Sequence, residues 1–200
     1  MISPKLSGIT ALLLCAMSAN TFAAESSAIF TPIGKSASKP DNYLGGSIGQ
    51  SSADGFCDAL QNCEDTDQSW KLFGGVRVNE TFVVEGGYIN FGDHKGQDTG
   101  TDVSRSTTAA MLAGVAGIPV NEEIELFGKA GIARWSQERT DASGKSDSKG
   151  TNLMMGAGAN YDLGDNMGIR AEWERFKDIG DASSKGDVDL LSVGVTFSSL

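Results

Sequence analysis

The stretch Ile169-Arg170-Ala171-Glu172-Trp173-Glu174 alternates an apolar with an ionised side chain at every step. Successive residues of a β-strand point to opposite faces. One face of this segment therefore carries Ile169, Ala171 and Trp173, and the other carries Arg170, Glu172 and Glu174. In a water-soluble domain the apolar face would turn inward. The pattern recurs along the chain: Leu44 and Ile48; Trp70, Leu72 and Val76; Phe82, Val84 and Tyr88; Leu112, Ala116 and Ile118; Leu126, Ala130 and Ile132; Leu153, Met155, Ala157 and Tyr161; Leu191, Val193, Val195 and Phe197. None of these outward residues is charged. The opposite face holds Lys71, Arg77, Glu85, Glu125, Lys129, Arg170, Glu172 and Glu174, four positive and four negative. Turned into lipid, each midplane Lys or Arg would cost roughly 2–4 kcal/mol. Turned into a closed cylinder, they can pair across the lumen. The chain therefore reads as all-β, an eight-stranded antiparallel up-and-down transmembrane β-barrel with its apolar face in lipid and its charges inside.

Eight segments supply the strands: 42–51, 69–78, 81–91, 105–120, 124–137, 151–162, 167–177 and 188–198. Each provides the 9–11 residues a tilted strand needs to cross a bilayer. The connections alternate in kind. Asn79-Glu80, Asn121-Glu122-Glu123 and Leu163-Gly164-Asp165-Asn166 are hairpin turns. The other four, near 53–68, 92–104, 138–150 and 178–187, are longer and rich in Asp, Ser, Gly and Lys. Short periplasmic turns and longer external loops are the habit of membrane barrels. Trp70, Tyr88, Tyr161, Trp173 and Phe197 fall near strand ends, where an aromatic girdle belongs. Eight strands leave an interior about filled by its own side chains.

The 200-residue chain begins with an apolar run, Gly8 to Ala19, behind Lys5, followed by small residues at Ala23 and Ala24. That order predicts a secretory signal peptide over 1–24, too short to span a bilayer as a helix. Residues 25–41, polar with Pro32 and Pro40, form a periplasmic lead-in, and the barrel occupies 42–200. Removing Cys15 with the leader leaves Cys57 and Cys63, an even number in an exported chain, which reads as a disulfide closing a small loop. Two free thiols are the alternative. Two cysteines without a nearby histidine do not make a zinc site. The formal charge is −10, which disfavours nucleic acid as a partner. No cofactor or metal is called for. The expected surroundings are outer-membrane lipid and lipopolysaccharide, met as a monomer.

Lys71-Leu-Phe-Gly-Gly-Val-Arg-Val-Asn79 and Val84-Glu-Gly-Gly-Tyr88 resemble the membrane domain of the outer-membrane protein A (OmpA) family. Ala116-Gly-Ile-Pro-Val120, Lys129-Ala-Gly131, Ile169-Arg-Ala-Glu-Trp173 and Leu191-Ser-Val-Gly-Val195 continue the match in order. The resemblance implies an eight-stranded barrel in the outer membrane of a Gram-negative bacterium, inserted by the barrel-assembly machinery. Relatives carry a peptidoglycan-binding domain after the barrel. This chain stops at Leu200, so wall anchoring is not expected, and Phe197 is followed by Ser198, Ser199 and Leu200 where relatives end on an aromatic. The resemblance also implies a gate of paired charges in mid-lumen. Glu85 matches the family's glutamate on the third strand and Arg170 its arginine on the seventh. The family's lysine on the fourth strand corresponds to Val115, and its second glutamate on the sixth to Asn160. The expected cluster is a Glu85–Arg170 pair supported by Lys129 and Glu172, with Lys71, Arg77, Glu125 and Glu174 as further lumen charges.

Other constellations are weaker. His94, beside Asp93 and near Ser104 and Ser106, is the lone histidine; a lipid-modifying enzyme would need it next to a serine or acid, and the plainer reading is a solvated loop residue. The loop acids Asp54, Asp58, Glu64, Asp65, Asp67, Asp141, Asp147, Asp178, Asp181 and Asp187 match no calcium cage and read as a solvated acidic surface. Arg134 and Lys149, near the outer rim, suit ion pairing with lipopolysaccharide phosphates. Gly45-Gly46-Ser47-Ile48-Gly49 lies within a strand and opens no helix, so it is a packing feature and no phosphate loop. The function expected is a structural, surface-displaying barrel with a plugged lumen. A narrow pore and an adhesin or receptor working through an unidentified loop partner are the alternatives.

Overall fold

Each alternating segment pairs with the next in the computed structural model, and the last pairs back onto the first. The structure describes residues 42–54, 61–64, 66–98, 101–141, 144–180 and 185–199. Its strands are β1 (Asn42–Ala53), β2 (Gln61–Glu64), β3 (Thr66–Arg77), β4 (Phe82–Asp98), β5 (Thr101–Pro119), β6 (Ile124–Asp141), β7 (Gly144–Gly164), β8 (Met167–Ile179) and β9 (Gly186–Ser199). β1 pairs with β3, and from β3 to β9 every strand pairs antiparallel with its successor. β9 closes on β1 from Asn42↔Ser199 to Ala53↔Val188. The short β2 only extends the ladder of β4 beyond the barrel wall. Eight strands thus make a closed antiparallel barrel, and closure removes the unpaired edges that hydrocarbon could not satisfy.

The side chains sort as the alternation requires. Every large apolar residue assigned outward is exposed on the cylinder, Ile48 most among those of β1 at 70%. Lys71, Glu85, Lys129, Arg170, Glu172 and Glu174 are buried inside, while Arg77 and Glu125 are half-buried near the turn end. Trp70 and Tyr88 touch at 5.8 Å between ring centroids and, with Trp173, mark the end with long hairpins. Tyr161 and Phe197 mark the other end.

Two of the tight turns use one device. In Val78-Asn79-Glu80 and Val120-Asn121-Glu122 the asparagine Oδ1 accepts two backbone N–H groups, from Thr81 and Phe82 (2.9 and 2.8 Å) and from Glu123 and Ile124 (3.0 and 2.6 Å). These Asx contacts satisfy donors that the turn would otherwise leave open. The third turn places Asp165 and Asn166 at φ of 52° and 63°, the doubly left-handed pair of a type I′ hairpin.

At the other end the structure departs from expectation. The described residues of 92–104 and 138–150, segments expected as loops, are strand: β4 runs to Asp98, β5 starts at Thr101, β6 runs to Asp141 and β7 starts at Gly144. The apolar alternation ends with the lipid belt, but a backbone ladder can continue into water on polar residues, so side-chain pattern underestimates strand length there. β4 also carries a bulge between Asn90 and Asp93, with Gly92 at φ +83° and its N–H held by Asn90 Oδ1 at 2.8 Å. One extra residue inverts the facing of everything after it. Phe91 points inward before the bulge and His94 after it, so His94 is 2% exposed and no solvated loop residue. The leader 1–24, the lead-in 25–41 and Cys57 lie outside the described residues, as does the Cys63 side chain, and so the proposed Cys57–Cys63 bridge does too.

Depth in the belt sets the cost of a misplaced charge. Val193 pairs with Ile48 and Ala171 at mid-height, whereas outward-facing Gln50 lies near the outer rim. Val193→Arg is expected to lower unfolding free energy in lipid vesicles by about 2–4 kcal/mol and Gln50→Arg by at most about 1 kcal/mol. Urea titrations monitored by tryptophan fluorescence check this; equal losses at both positions contradict the assigned belt.

Candidate functional site

The mid-lumen charges come from four strands. β8 contributes Arg170, Glu172 and Glu174 on successive inward positions, β4 contributes Glu85, β6 Lys129 and β3 Lys71. Arg170 Nη1 donates to Glu85 Oε2 at 2.7 Å, and its Nη2 lies 3.1 Å from Glu172 Oε2. Lys129 Nζ sits among Glu85 (3.2 Å), Glu172 (2.9 Å) and Glu174 (2.5 Å). Lys71 Nζ pairs with Glu174 at 2.6 Å and also with Glu172. Three cations face three anions, and both Glu85 and Glu174 are fully buried at 0% exposure. The expected Glu85–Arg170 pair with Lys129 and Glu172 is assembled. Lys71 and Glu174, read from the sequence as separate lumen charges, belong to the same network.

The two positions at which the resemblance implied a lysine and a glutamate are neutral. Val115 is buried with Val83 and Phe127 in a small apolar cluster, and Asn160 stands opposite Arg170 in the β7–β8 register. Lys71 on β3 and Glu174 on β8 supply one positive and one negative charge elsewhere on the circumference. β7 makes room: a Cβ on Gly156 would lie 2.8 Å from the Trp173 carbonyl and 3.1 Å from Glu174, and one on Gly158 would lie 2.5 Å from the Phe127 ring.

Tyr43 is a member that the alternation did not single out. Its hydroxyl donates to Glu85 Oε2 at 2.5 Å and accepts from Arg170 Nη1 at 3.4 Å. A short polar tip on an aromatic body looks like girdle or core in sequence, and only the cross-barrel geometry reveals the contact. Aromatics also flank Arg170, with the guanidinium carbon 4.1 Å from the Phe127 centroid and 4.8 Å from that of Phe73, a cation–π arrangement that desolvation strengthens.

The lumen has a different character on either side of this network. Toward the long hairpins lies an apolar layer of Ile89, Phe91, Met154, Phe176 and Leu190, with Phe91 and Phe176 edge to face at 4.9 Å. Toward the turns lies a polar vestibule of about 350 Å³, with Arg77, Glu125, Asn160 and Arg170 among its lining. Beyond the apolar layer His94 Nε2 is 3.5 Å from Ser51 Oγ, but that hydroxyl donates to the Phe91 carbonyl at 2.5 Å and is fully buried. Asp93 is exposed on the outward face, where its N–H meets Asp67 Oδ2 at 2.5 Å. The constellation of His94 with Asp93, Ser104 and Ser106 is therefore split across the wall.

Asp187, expected to be merely solvated, ties the outer rim together with Asp189. Arg175 donates to both oxygens of Asp189 (2.7 and 2.5 Å), and Lys177 Nζ donates to Asp187 Oδ2 at 2.5 Å. The Lys177 hydrogen bond, opposed by slight burial and aided by the Asp178 N–H, holds the Asp187 carboxyl below its ordinary range.

Two outcomes follow for measurement. Arg170→Ala leaves Glu85 buried without its closest cation, and loss of one partner of a buried pair costs about 3–5 kcal/mol; urea unfolding in vesicles is expected to show this, with Glu85→Gln in the same chain recovering part. For Asp187 the folded pKa is the lower one, so its stabilisation is complete above the unfolded value of about 3.9 and disappears as pH falls through the folded value. Hydrogen-exchange protection at the outer ends of β8 and β9, corrected for intrinsic exchange, is expected to stay flat above that range and drop below it. Asp187→Asn should abolish the pH dependence.

Solved barrels share the architecture. The structure superposes on Neisserial surface protein A with a TM-score of 0.57 at 16% identity, covering 82% of this chain and 100% of that one. The N-terminal barrel of Pseudomonas aeruginosa OprF gives 0.53 at 12% identity (80% and 99%), and Ail of Yersinia pestis gives 0.51 at 16% (80% and 99%). In sequence, outer membrane protein A of Klebsiella aerogenes is 25% identical over 179 residues, covering 84% of this chain and 51% of that protein. The chain thus spans about half the length of the curated relatives it matches. The profile of the OmpA-like transmembrane domain matches residues 37–199, and with the closed eight-stranded wall and its ionised lumen this places the chain in the OmpA-like transmembrane domain family of outer-membrane β-barrels.

Proposed function

We propose that this chain is a structural, surface-displaying barrel of the outer membrane whose lumen is closed by two successive seals. The observation that carries this reading is the stacking of a charge-balanced network directly beneath an apolar layer. In the network every ion has an opposite partner within 3.2 Å, so a permeating ion finds no uncompensated charge to replace its hydration. In the layer above, Phe91, Ile89 and Phe176 are at most 1% exposed, and an apolar constriction excludes water and hence ions. A narrow pore would need both to open together. The second reading, recognition at the cell surface, is favoured by the lengths of β6 and β7 at 18 and 21 residues, which raise a paired hairpin well beyond the 9–11 residues a crossing needs.

Planar-bilayer recordings on refolded protein test the proposal. The wild-type barrel is expected to give no steady conductance, and Phe176→Ala or Arg170→Ala alone to leave it closed, because the other seal remains. Combining the two substitutions is expected to produce a measurable leak. Steady wild-type conductance overturns the proposal in favour of a pore.

A further inference from the structure

The outward charges just above the lipid belt are distributed unevenly around the wall. On the β8–β9 sector each base has an acid, Arg175 with Asp189 and Lys177 with Asp187. On the β6–β7 sector Arg134 and Lys149 are exposed and make no ion pair with any described residue. The register makes them a group: Arg134 is opposite Thr151, and Ser136 is opposite Lys149, on consecutive outward rungs. Directly opposed side chains on one face have Cβ atoms about 4.5–5.5 Å apart, and diagonal ones lie within reach of long side chains. Two cations and two hydroxyls therefore surround one point on the surface.

Immediately below is the pair Ile132–Leu153, both exposed to lipid, so the group stands at the level where acyl chains give way to headgroups. Nearby acid is largely engaged: Glu138, one rung above, is held by Lys145 at 2.6 Å, leaving Asp147 as the other carboxylate on this face. The inner face of the same rungs is fixed, with Trp135 Nε1 donating to Asn152 Oδ1 at 2.8 Å. A cation that serves no internal acid at this height gains by meeting an external anion.

We propose that Arg134, Ser136, Lys149 and Thr151 form a site for the phosphate of an outer-leaflet glycolipid headgroup whose chains lie on Ile132 and Leu153. This rests on the placement of the barrel in the outer membrane and is independent of whether its lumen conducts. Arg134 binds as a fork, Lys149 as a point charge, and the hydroxyls donate to the remaining phosphate oxygens. The β8–β9 sector, with its charges already matched, lacks this affinity.

The test uses the whole refolded barrel in phosphatidylcholine nanodiscs doped with lipid A, either phosphorylated or enzymatically dephosphorylated, with retained lipid measured by native mass spectrometry. Heat-modifiable gel mobility first establishes insertion of each variant; a wild-type chain that does not insert refutes the membrane reading itself. The inserted wild type is expected to retain the phosphorylated form selectively. Loss of two cations near an anionic headgroup should weaken retention about 30-fold in R134Q/K149Q, with R175Q/K177Q unchanged as the control. Equal retention by wild type and R134Q/K149Q overturns the site, as does equal retention of dephosphorylated lipid A. Inorganic phosphate in the buffer should not displace the lipid at millimolar concentration; displacement would mean a loose anion site rather than a headgroup site, and would also overturn the proposal.

Discussion

A backbone inside hydrocarbon has no water to bond, so each N–H and C=O of a spanning segment must be answered by a neighbouring strand. This constraint forces the β9–β1 pairing that closes the wall, and the rest of the molecule follows from closure. Once the sheet is a cylinder, period-two alternation leaves each side chain two destinations. Leu44, Leu72, Leu112 and Val193 take the lipid, and whatever lies between them must live in a lumen about as wide as its own contents.

Ions in such a lumen are stable only as a set. A desolvated charge with no partner costs several kcal/mol, whereas a closed group of alternating sign recovers much of that cost. Three cations and three anions close such a group here. With Val115 and Asn160 neutral in the lumen, Lys71 and Glu174 complete a three-against-three arrangement from β3 and β8. The aromatic bodies of Tyr43, Phe73 and Phe127 around Arg170 fill the volume that water would otherwise occupy.

At the rim the governing medium changes and so do the rules. Strands β4 to β7 continue beyond the belt because hydrogen-bonded ladders are stable in water as well as in lipid, and there acids and bases pair at their ordinary modest worth. The rim is not uniform: aspartates answer the bases on β8–β9, and no described acid answers Arg134 or Lys149 on β6–β7. A wall with one saturated and one unsaturated sector presents different faces to its surrounding lipid.

Much of this was legible in the chain itself. Alternation over eight segments located the strands and sorted their two faces, and the short-then-long alternation of turns with the paired signs on the ionised face pointed to lipid as the outer solvent. The lumen residues followed from parity alone, and the hairpin turns from Asn79, Asn121 and the Asp165-Asn166 pair. Only the tertiary structure decided which lumen charges meet. Lys71 and Glu174 lie 103 residues apart and touch, and Tyr43 on β1 reaches Glu85 on β4 across the intervening β3. It also decided that the bulge at Gly92 turns His94 inward, since a one-residue insertion leaves composition untouched while reversing every facing beyond it. Facing is a local property of the chain and contact is a property of the closed cylinder, and the line between what could and could not be read falls there.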